Sequence, residues 1–262
     1  MSLGYGYTGE VHTVQVQARQ DQNSDFGGQS TGSLGYGYAP SRDWRLTASV
    51  GNAFRAPTMY QQYSVYGQPS LKPETANNAE LGARLTQGTS IWSLVVYQNL
   101  VYNQITFSSP GPCASSYGCY ANTAQARYIG TTLSGQERIG EVRLHGSVDL
   151  QDPRDAQTGL LLARRAQRYM NLGADTRVGR WSVGADARLS GDRYDDAANT
   201  VILPGYSVYN FYAQTALGRD WSLLVKLDNA TNSGYQLANG YATAGRSLFA
   251  ILKWEPQVFN QP

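Results

Sequence analysis

Apolar and polar residues alternate with period two along most of the chain, and no segment sustains a helical period. From Trp181 to Ser190, Trp181, Val183, Ala185, Ala187 and Leu189 share one face, while Ser182, Gly184, Asp186, Arg188 and Ser190 share the other. The same rule sets Trp221, Leu223, Val225 and Leu227 against Ser222, Lys226 and Asp228. It also sets Val142, Leu144, Val148 and Leu150 against Glu141, Arg143, His145, Ser147 and Asp149. Trp44 to Gly51 and His12 to Arg19 follow suit, and the pattern predicts about twelve β-strands in all. Most run roughly eight to eleven residues, close to the ~9–11 that cross a tilted barrel wall.

Alternation alone also fits a soluble sandwich, so the connections carry more weight. They alternate short and long. Short ones fall at Pro40–Asp43, Gln87–Thr89, Arg138–Gly140, Val178–Arg180 and Gly218–Asp220. Long ones fall at Asp21–Gln29, Ala53–Asn78, Ser108–Ala126, Asp152–Ala166, Gly191–Tyr206 and Asn229–Gly245. A Greek-key sandwich gives no reason for this rhythm. An antiparallel up-and-down transmembrane β-barrel does, with tight turns on the periplasmic side and long loops outside.

The tryptophans sharpen the prediction. Trp44, Trp92, Trp181 and Trp221 each open a strand after a short turn, and Trp254 closes the last strand. All five therefore belong to one rim. An indole ring is apolar but its N–H needs a polar partner, which suits a membrane–water interface girdle.

Composition agrees with strands rather than helices: 19 Tyr and 28 Gly stand beside only 15% charged residues. A net charge of +2 implies no nucleic-acid partner. No apolar run approaches the ~18 residues of a membrane helix, which says nothing against a barrel, since barrel strands are apolar on one face only. Cys113 and Cys119 lie close together in a loop-like stretch, the setting of a disulfide in an oxidising compartment. Two free thiols are the alternative, and no His or further Cys lies nearby to complete a metal site. Met1–Tyr7 has neither the basic nor the apolar region of a secretory signal, and reads as the remnant of a preceding strand.

Several stretches resemble the TonB-dependent outer-membrane receptors. These are Asn52-Ala-Phe-Arg-Ala-Pro-Thr58, then Leu71-Lys-Pro-Glu74 followed by Ala79-Glu-Leu-Gly82. Ser24-Asp-Phe-Gly-Gly28, Thr31-Gly-Ser33 and Gly245-Arg-Ser-Leu-Phe249 match in style, and their order makes the set specific. Within the family the segments look most like the cobalamin (vitamin B12) receptors. The resemblance implies 22 strands in the whole barrel, so residues 1–254 are expected to be its C-terminal part, with 255–262 a short periplasmic tail. The plug domain and signal peptide are expected to be absent from this sequence. The family's function is uptake of a scarce ligand, such as cobalamin or a ferric siderophore, across the Gram-negative outer membrane, energised by TonB acting on the plug.

Candidate contacts follow. Tyr60, Tyr63 and Tyr66 offer flat amphipathic rings to a small-molecule ligand, or else join an outer aromatic girdle. Asp192, Asp195 and Asp196 could hold Ca²⁺ through hard oxygen ligands, as some cobalamin receptors of the family do. The spacing is not that of an EF-hand and Arg193 offsets one charge, so a solvated acidic loop is the simpler reading. Arg164, Arg165 and Arg168 suit lipopolysaccharide phosphates or neighbouring carboxylates, with outer-membrane lipid the wider partner. Arg55, within the Phe-Arg-Ala-Pro segment, reads as structural. No enzyme is expected. A barrel hydrolase would need a Ser–His pair, and His12 and His145 are the only histidines. A free-standing passive twelve-stranded pore is the other alternative.

Overall fold

A computed structural model describes residues 1–108 and 113–256 of the 262. The chain runs β1 (Ser2–Thr8), β2 (His12–Asn23), β3 (Gly27–Tyr38), β4 (Trp44–Arg55), α1 (Met59–Tyr63), β5 (Glu74–Gln87), β6 (Ser90–Ser108) and β7 (Cys119–Ile139). It continues β8 (Val142–Asp155), β9 (Arg168–Val178), β10 (Trp181–Ser190), β11 (Arg193–Tyr194), β12 (Ile202–Leu203) and β13 (Tyr206–Ala216). β14 (Trp221–Asp228), β15 (Gln236–Ala238), β16 (Tyr241–Ala242) and β17 (Ser247–Trp254) complete it. Among the described residues, thirteen strands form one sheet in the order β1–β10, β13, β14, β17, every neighbouring pair antiparallel. The remaining four pair two by two inside loops. This is the wall of an up-and-down barrel, with β1 and β17 at its two edges. It holds one strand more than the roughly twelve expected.

Register keeps the two faces apart from strand to strand. One row of directly opposed residues runs Leu85, Trp92, Gly135, Gly146, Leu172, Ala187, Tyr209 across β5 to β13. The row one residue away runs Arg84, Ser93, Ser134, Ser147, Asn171, Arg188, Val208. Because side chains alternate strictly, the first row faces outward and the second faces the lumen. The outward face leaves large apolar groups uncovered: Leu81 is 65% exposed, Leu172 48% and Leu252 58%. Among the described residues the buried apolar side chains are few: Leu71, Ile105, Cys119, Ala126, Leu203 and Val208. A soluble fold would invert this arrangement. Lipid is the solvent that makes it favourable.

The short-turn rim is built locally. Gly88, Gly140 and Gly179 take φ of +59°, +59° and +60°, where a two-residue hairpin needs a left-handed residue. Trp44, Trp181 and Trp221 start strands at this rim, Trp92 lies two residues into β6, and Trp254 stands opposite Trp221 with ring centroids 6.2 Å apart. His12 joins them. Its ring stacks on Tyr38 at 5.5 Å, and its Nδ1 lies 2.8 Å from the Tyr36 hydroxyl.

Three expectations about connections change. The long loop expected at Asp21–Gln29 is strand almost throughout: β2 and β3 stay in register to Asn23 opposite Gly27, leaving Ser24–Phe26 as the turn. Gly27, at φ +77°, permits that tight reversal. The stretch taken as a loop over Ser108–Ala126 is strand from Cys119 onward, and β8 runs on to Asp155. These extensions stand beyond the bilayer, where both faces are wet and alternation no longer marks a strand. The short helix α1 was also unforeseen. It begins at a capping box, in which Thr58 accepts from the Gln61 N–H while the Gln61 side chain accepts from the Thr58 N–H. From Gln257 on, the tail expected at 255–262 lies outside the described residues.

Candidate ligand-binding vestibule

The loops opposite the tryptophan rim gather into two bodies. The first is anchored by Arg55, at the end of β4, and Glu74, at the start of β5. Arg55 Nε and Nη2 donate to the two Glu74 carboxylate oxygens, both at 2.7 Å. Glu74 Oε1 also accepts from the Ile105 N–H at 2.6 Å, which pins β6 to the same point. A bidentate pair of this kind fixes orientation as well as distance. The Phe-Arg-Ala-Pro and Leu-Lys-Pro-Glu segments are thus two halves of one clamp that closes the base of the 56–73 loop.

Above the clamp, α1 and the residues just after it carry aromatic side chains onto the β6–β7 hairpin. Tyr60 meets Tyr120 edge-on at 6.2 Å, Tyr66 meets Phe107 at 5.8 Å, and Phe107 meets Tyr120 at 5.4 Å. The Tyr120 N–H donates to the Tyr66 carbonyl at 2.9 Å, and the Asn122 amide spans the Lys72 and Asn103 carbonyls. Tyr60 and Tyr66 therefore serve partly as packing, yet Tyr60 stays 57% exposed. Tyr63 is 62% exposed on the same helix. At the hairpin tip Cys113 and Cys119 are bridged, their Cα atoms 5.7 Å apart.

The second body joins the loops after β8, β10 and β14. Arg164 Nε donates to Asp195 at 2.7 Å, and Asp195 also accepts from the Asn239 N–H at 3.1 Å. The Asn199 side chain exchanges two hydrogen bonds with the Leu161 backbone, at 2.9 and 2.8 Å. Tyr206 and Tyr235 stack at 4.2 Å, and the Arg193 guanidinium lies over Tyr206 at 5.3 Å. The sequence offers Arg193 only as a charge that offsets the acidic loop, and it does not single out Tyr206 or Tyr235. The signal available was weak: a second Tyr/Arg cluster whose members lie 42 residues apart, at 193 and 235.

These contacts redirect two sets of candidates. Asp192, Asp195 and Asp196 do not converge on a common point. Asp195 faces Arg164, while Asp196 turns onto its own loop, accepting from the Thr200 and Val201 N–H groups and from the Thr200 hydroxyl. Both carboxyls titrate below the ordinary range. The Arg164 hydrogen bond is the main cause for Asp195, and the Val201 N–H for Asp196. Among the described residues, no three His, Cys, Asp or Glu are gathered for a metal ion. Of the three arginines, Arg164 is paired within the loops, Arg165 is exposed, and Arg168 stands opposite Leu150 on the outward face.

The lumen wall below is polar and ion-paired. Arg143 binds Asp175 through two nitrogens, at 3.0 and 2.8 Å, and His145 Nδ1 lies 3.7 Å from the same carboxylate. Among the described residues neither histidine is hydrogen-bonded to a serine, so no Ser–His pair forms.

Taken together, a lipid-facing antiparallel wall, a tryptophan rim and clustered outer loops define a membrane β-barrel of the outer-membrane type. The match to known proteins narrows this: the family "TonB dependent receptor-like, beta-barrel" matches residues 4–230. The chain belongs to that family. It is 27% identical over 254 residues to the vitamin B12 transporter BtuB of Vibrio vulnificus, covering 95% of this chain and 41% of that protein. It is 29% identical over 252 residues to the vitamin B12 transporter BtuB of Vibrio cholerae, covering 92% and 40%. Among solved structures, the copper transporter OprC superposes with a TM-score of 0.81 at 15% identity, over 96% of this chain and 46% of that one. The siderophore receptor PirA from Acinetobacter baumannii does so at 0.78 and 19%, over 97% and 45%. These relatives are transport proteins and receptors, not enzymes. The chain spans less than half the length of each.

Proposed function

We propose that this chain supplies the wall and outer loops of an outer-membrane receptor that takes up a scarce small ligand, cobalamin or a ferric siderophore, with energy from TonB. The observation that carries the reading is the joint one: family membership over residues 4–230, with the outer loops clustered above a polar, ion-paired lumen. In this reading the plug that TonB pulls lies outside this sequence. Tyr63 and the free edge of Tyr60 offer apolar ring surface to the ligand, because both remain exposed on a helix held rigid by its cap. Arg168, at the outward rim, and Arg165 suit phosphates of the outer leaflet.

The test is uptake of radiolabelled cyanocobalamin and of ferric chelates by cells carrying the gene at its native locus, with and without TonB. Uptake that requires both the gene and TonB is expected. Uptake that needs the gene and persists without TonB would favour a passive pore instead.

A further inference from the structure

The outward face of the wall is not evenly covered. Between β6 and β13 it sinks into an apolar hollow of about 640 Å³, because the residues on its floor are small: Gly135, Gly146, Ala174, Ala185 and Ala187. Its two ends are large, with Trp92 on β6 and Tyr209 and Phe211 on β13. Gly135 is required there. A Cβ on it would come within 2.6 Å of the Trp92 ring, which fills the space that the missing side chain leaves.

The hollow has a direction. Trp92 is two residues from the start of β6, Ala187 six from the start of β10, and Tyr209 seven from the end of β13. All three belong to one row of directly opposed residues, so the row climbs from the tryptophan rim into the bilayer as it crosses the strands. Seven residues at ~3.3 Å each, on strands tilted by about 40°, rise roughly 18 Å, close to one leaflet of a core ~30 Å thick.

At the rim end stands an acid. Glu137 lies two residues from Gly135 and therefore on the same outward face. It accepts from the Ser90 hydroxyl and, at 3.4 Å, from the Trp92 indole N–H. No cation pairs with it among the described residues, and the neighbouring Arg138 is turned to Glu141 at 3.5 Å. Each carboxylate oxygen therefore keeps a lone pair free. A second hollow on the same face, of about 550 Å³ over Ala48 and Ala79, lacks this feature: the acid at its edge, Glu80, faces the lumen. An apolar track that starts at a carboxylate among the headgroups and ends a leaflet deep fits a lipid with a cationic head and an acyl tail.

We infer that this hollow seats an aminophospholipid of the periplasmic leaflet, its ammonium against Glu137 and an acyl chain along Gly135, Gly146 and Ala187. Phosphatidylglycerol would set only an anionic head beside the same carboxylate and is disfavoured. The inference concerns the wall and holds whichever ligand the receptor carries.

The protein is purified in mild detergent from outer membranes of cells expressing the whole gene, then challenged with an equal mixture of phosphatidylethanolamine and phosphatidylglycerol. Lipid carried by the folded, heat-modifiable form is measured by mass spectrometry. Retention of phosphatidylethanolamine is expected. A187L fills the floor and should lower that retention about tenfold, as lost contact with roughly two methylenes predicts. A48L, in the second hollow, should leave it unchanged. E137Q should still carry lipid but lose about threefold in preference for ethanolamine, the scale of one half-exposed ion pair. Equal retention in the parent and A187L, including none in either, would overturn the inference, as would an unchanged headgroup preference in E137Q. Cross-linking of two copies through A187C in intact outer membranes would give the hollow to a second copy of the chain and overturn it too.

Discussion

The two ends of the wall are held together in opposite ways. At the tryptophan rim, strands are joined by glycines such as Gly140 and Gly179 and by ring contacts between adjacent strands. At the other end the partners are distant in sequence: Arg55 with Glu74, Arg164 with Asp195, Asp195 with Asn239, Arg193 with Gln236. The first kind of order needs only a local dihedral and a neighbour in register. The second exists only once whole hairpins have docked, so the rim sets the barrel's geometry and the loops exploit it.

Substitutions can separate these dependencies. The largest effect is expected on the wall itself. Leu133 faces lipid and its neighbour Ser134 faces the lumen, so L133R should cost about 2–4 kcal/mol of membrane stability and S134R well under half of that. The fraction reaching the heat-modifiable folded form in outer membranes reads the difference, and equal losses would contradict the assignment of faces. At the rim, G179A should cost about 1 kcal/mol, because φ of +60° disfavours any Cβ although nothing lies within 4 Å of it. G240A, at φ +83° in an outer loop, should carry a similar local strain yet leave amide exchange in the wall unchanged. If G240A destabilised the wall as much as G179A, the two ends would not be independent.

The loop latch should respond more gently. D195N removes a pair whose arginine is half exposed, so about 0.5–1 kcal/mol is expected, seen as faster protease cleavage between residues 156 and 205. Acid should act the same way. Asp195 and Asp196 are held below their unfolded pKa, so their contribution is complete above about pH 4 and is lost as pH falls through the depressed values. Protease resistance of these loops should therefore be flat from about pH 5 to 8 and fall only in stronger acid. A loss near pH 6 would point to another group. Smallest of all, reduction of Cys113–Cys119 should speed exchange at the β6–β7 tip and nowhere else.

The contrast also explains what could be read from sequence. Period two and rim tryptophans are local features, and the thirteen-stranded sheet confirms the fold class they predicted. The same logic misled wherever a strand left the membrane. Residues Cys119–Ala126 alternate too weakly to look like a strand, because no lipid selects one face there. Motif resemblance named Arg55 and Glu74 without showing that they touch, since 19 residues separate them. The acidic triplet looked like one site only because Asp195 and Asp196 are adjacent in the chain. Their side chains are claimed by partners 31 residues upstream and four or five downstream. The surroundings of Arg193 were not legible for the complementary reason, since its burial and the missing carboxylate partner among the described residues are properties of the docked loops.

The β6–β7 hairpin gives the molecule a different kind of exposure. Its strands are 19 and 21 residues long, where about ten suffice to cross the bilayer. The surplus of roughly ten residues at ~3.3 Å each is about 30 Å of paired strand. Braced by Tyr66 and stitched by Lys72–Asn122, it stands above the headgroups as a stiff mast with a covalently closed tip. That mast is a discrete handle set apart from the wall, and a binder raised against it would report on the hairpin without touching the lumen or the lipid-facing surface.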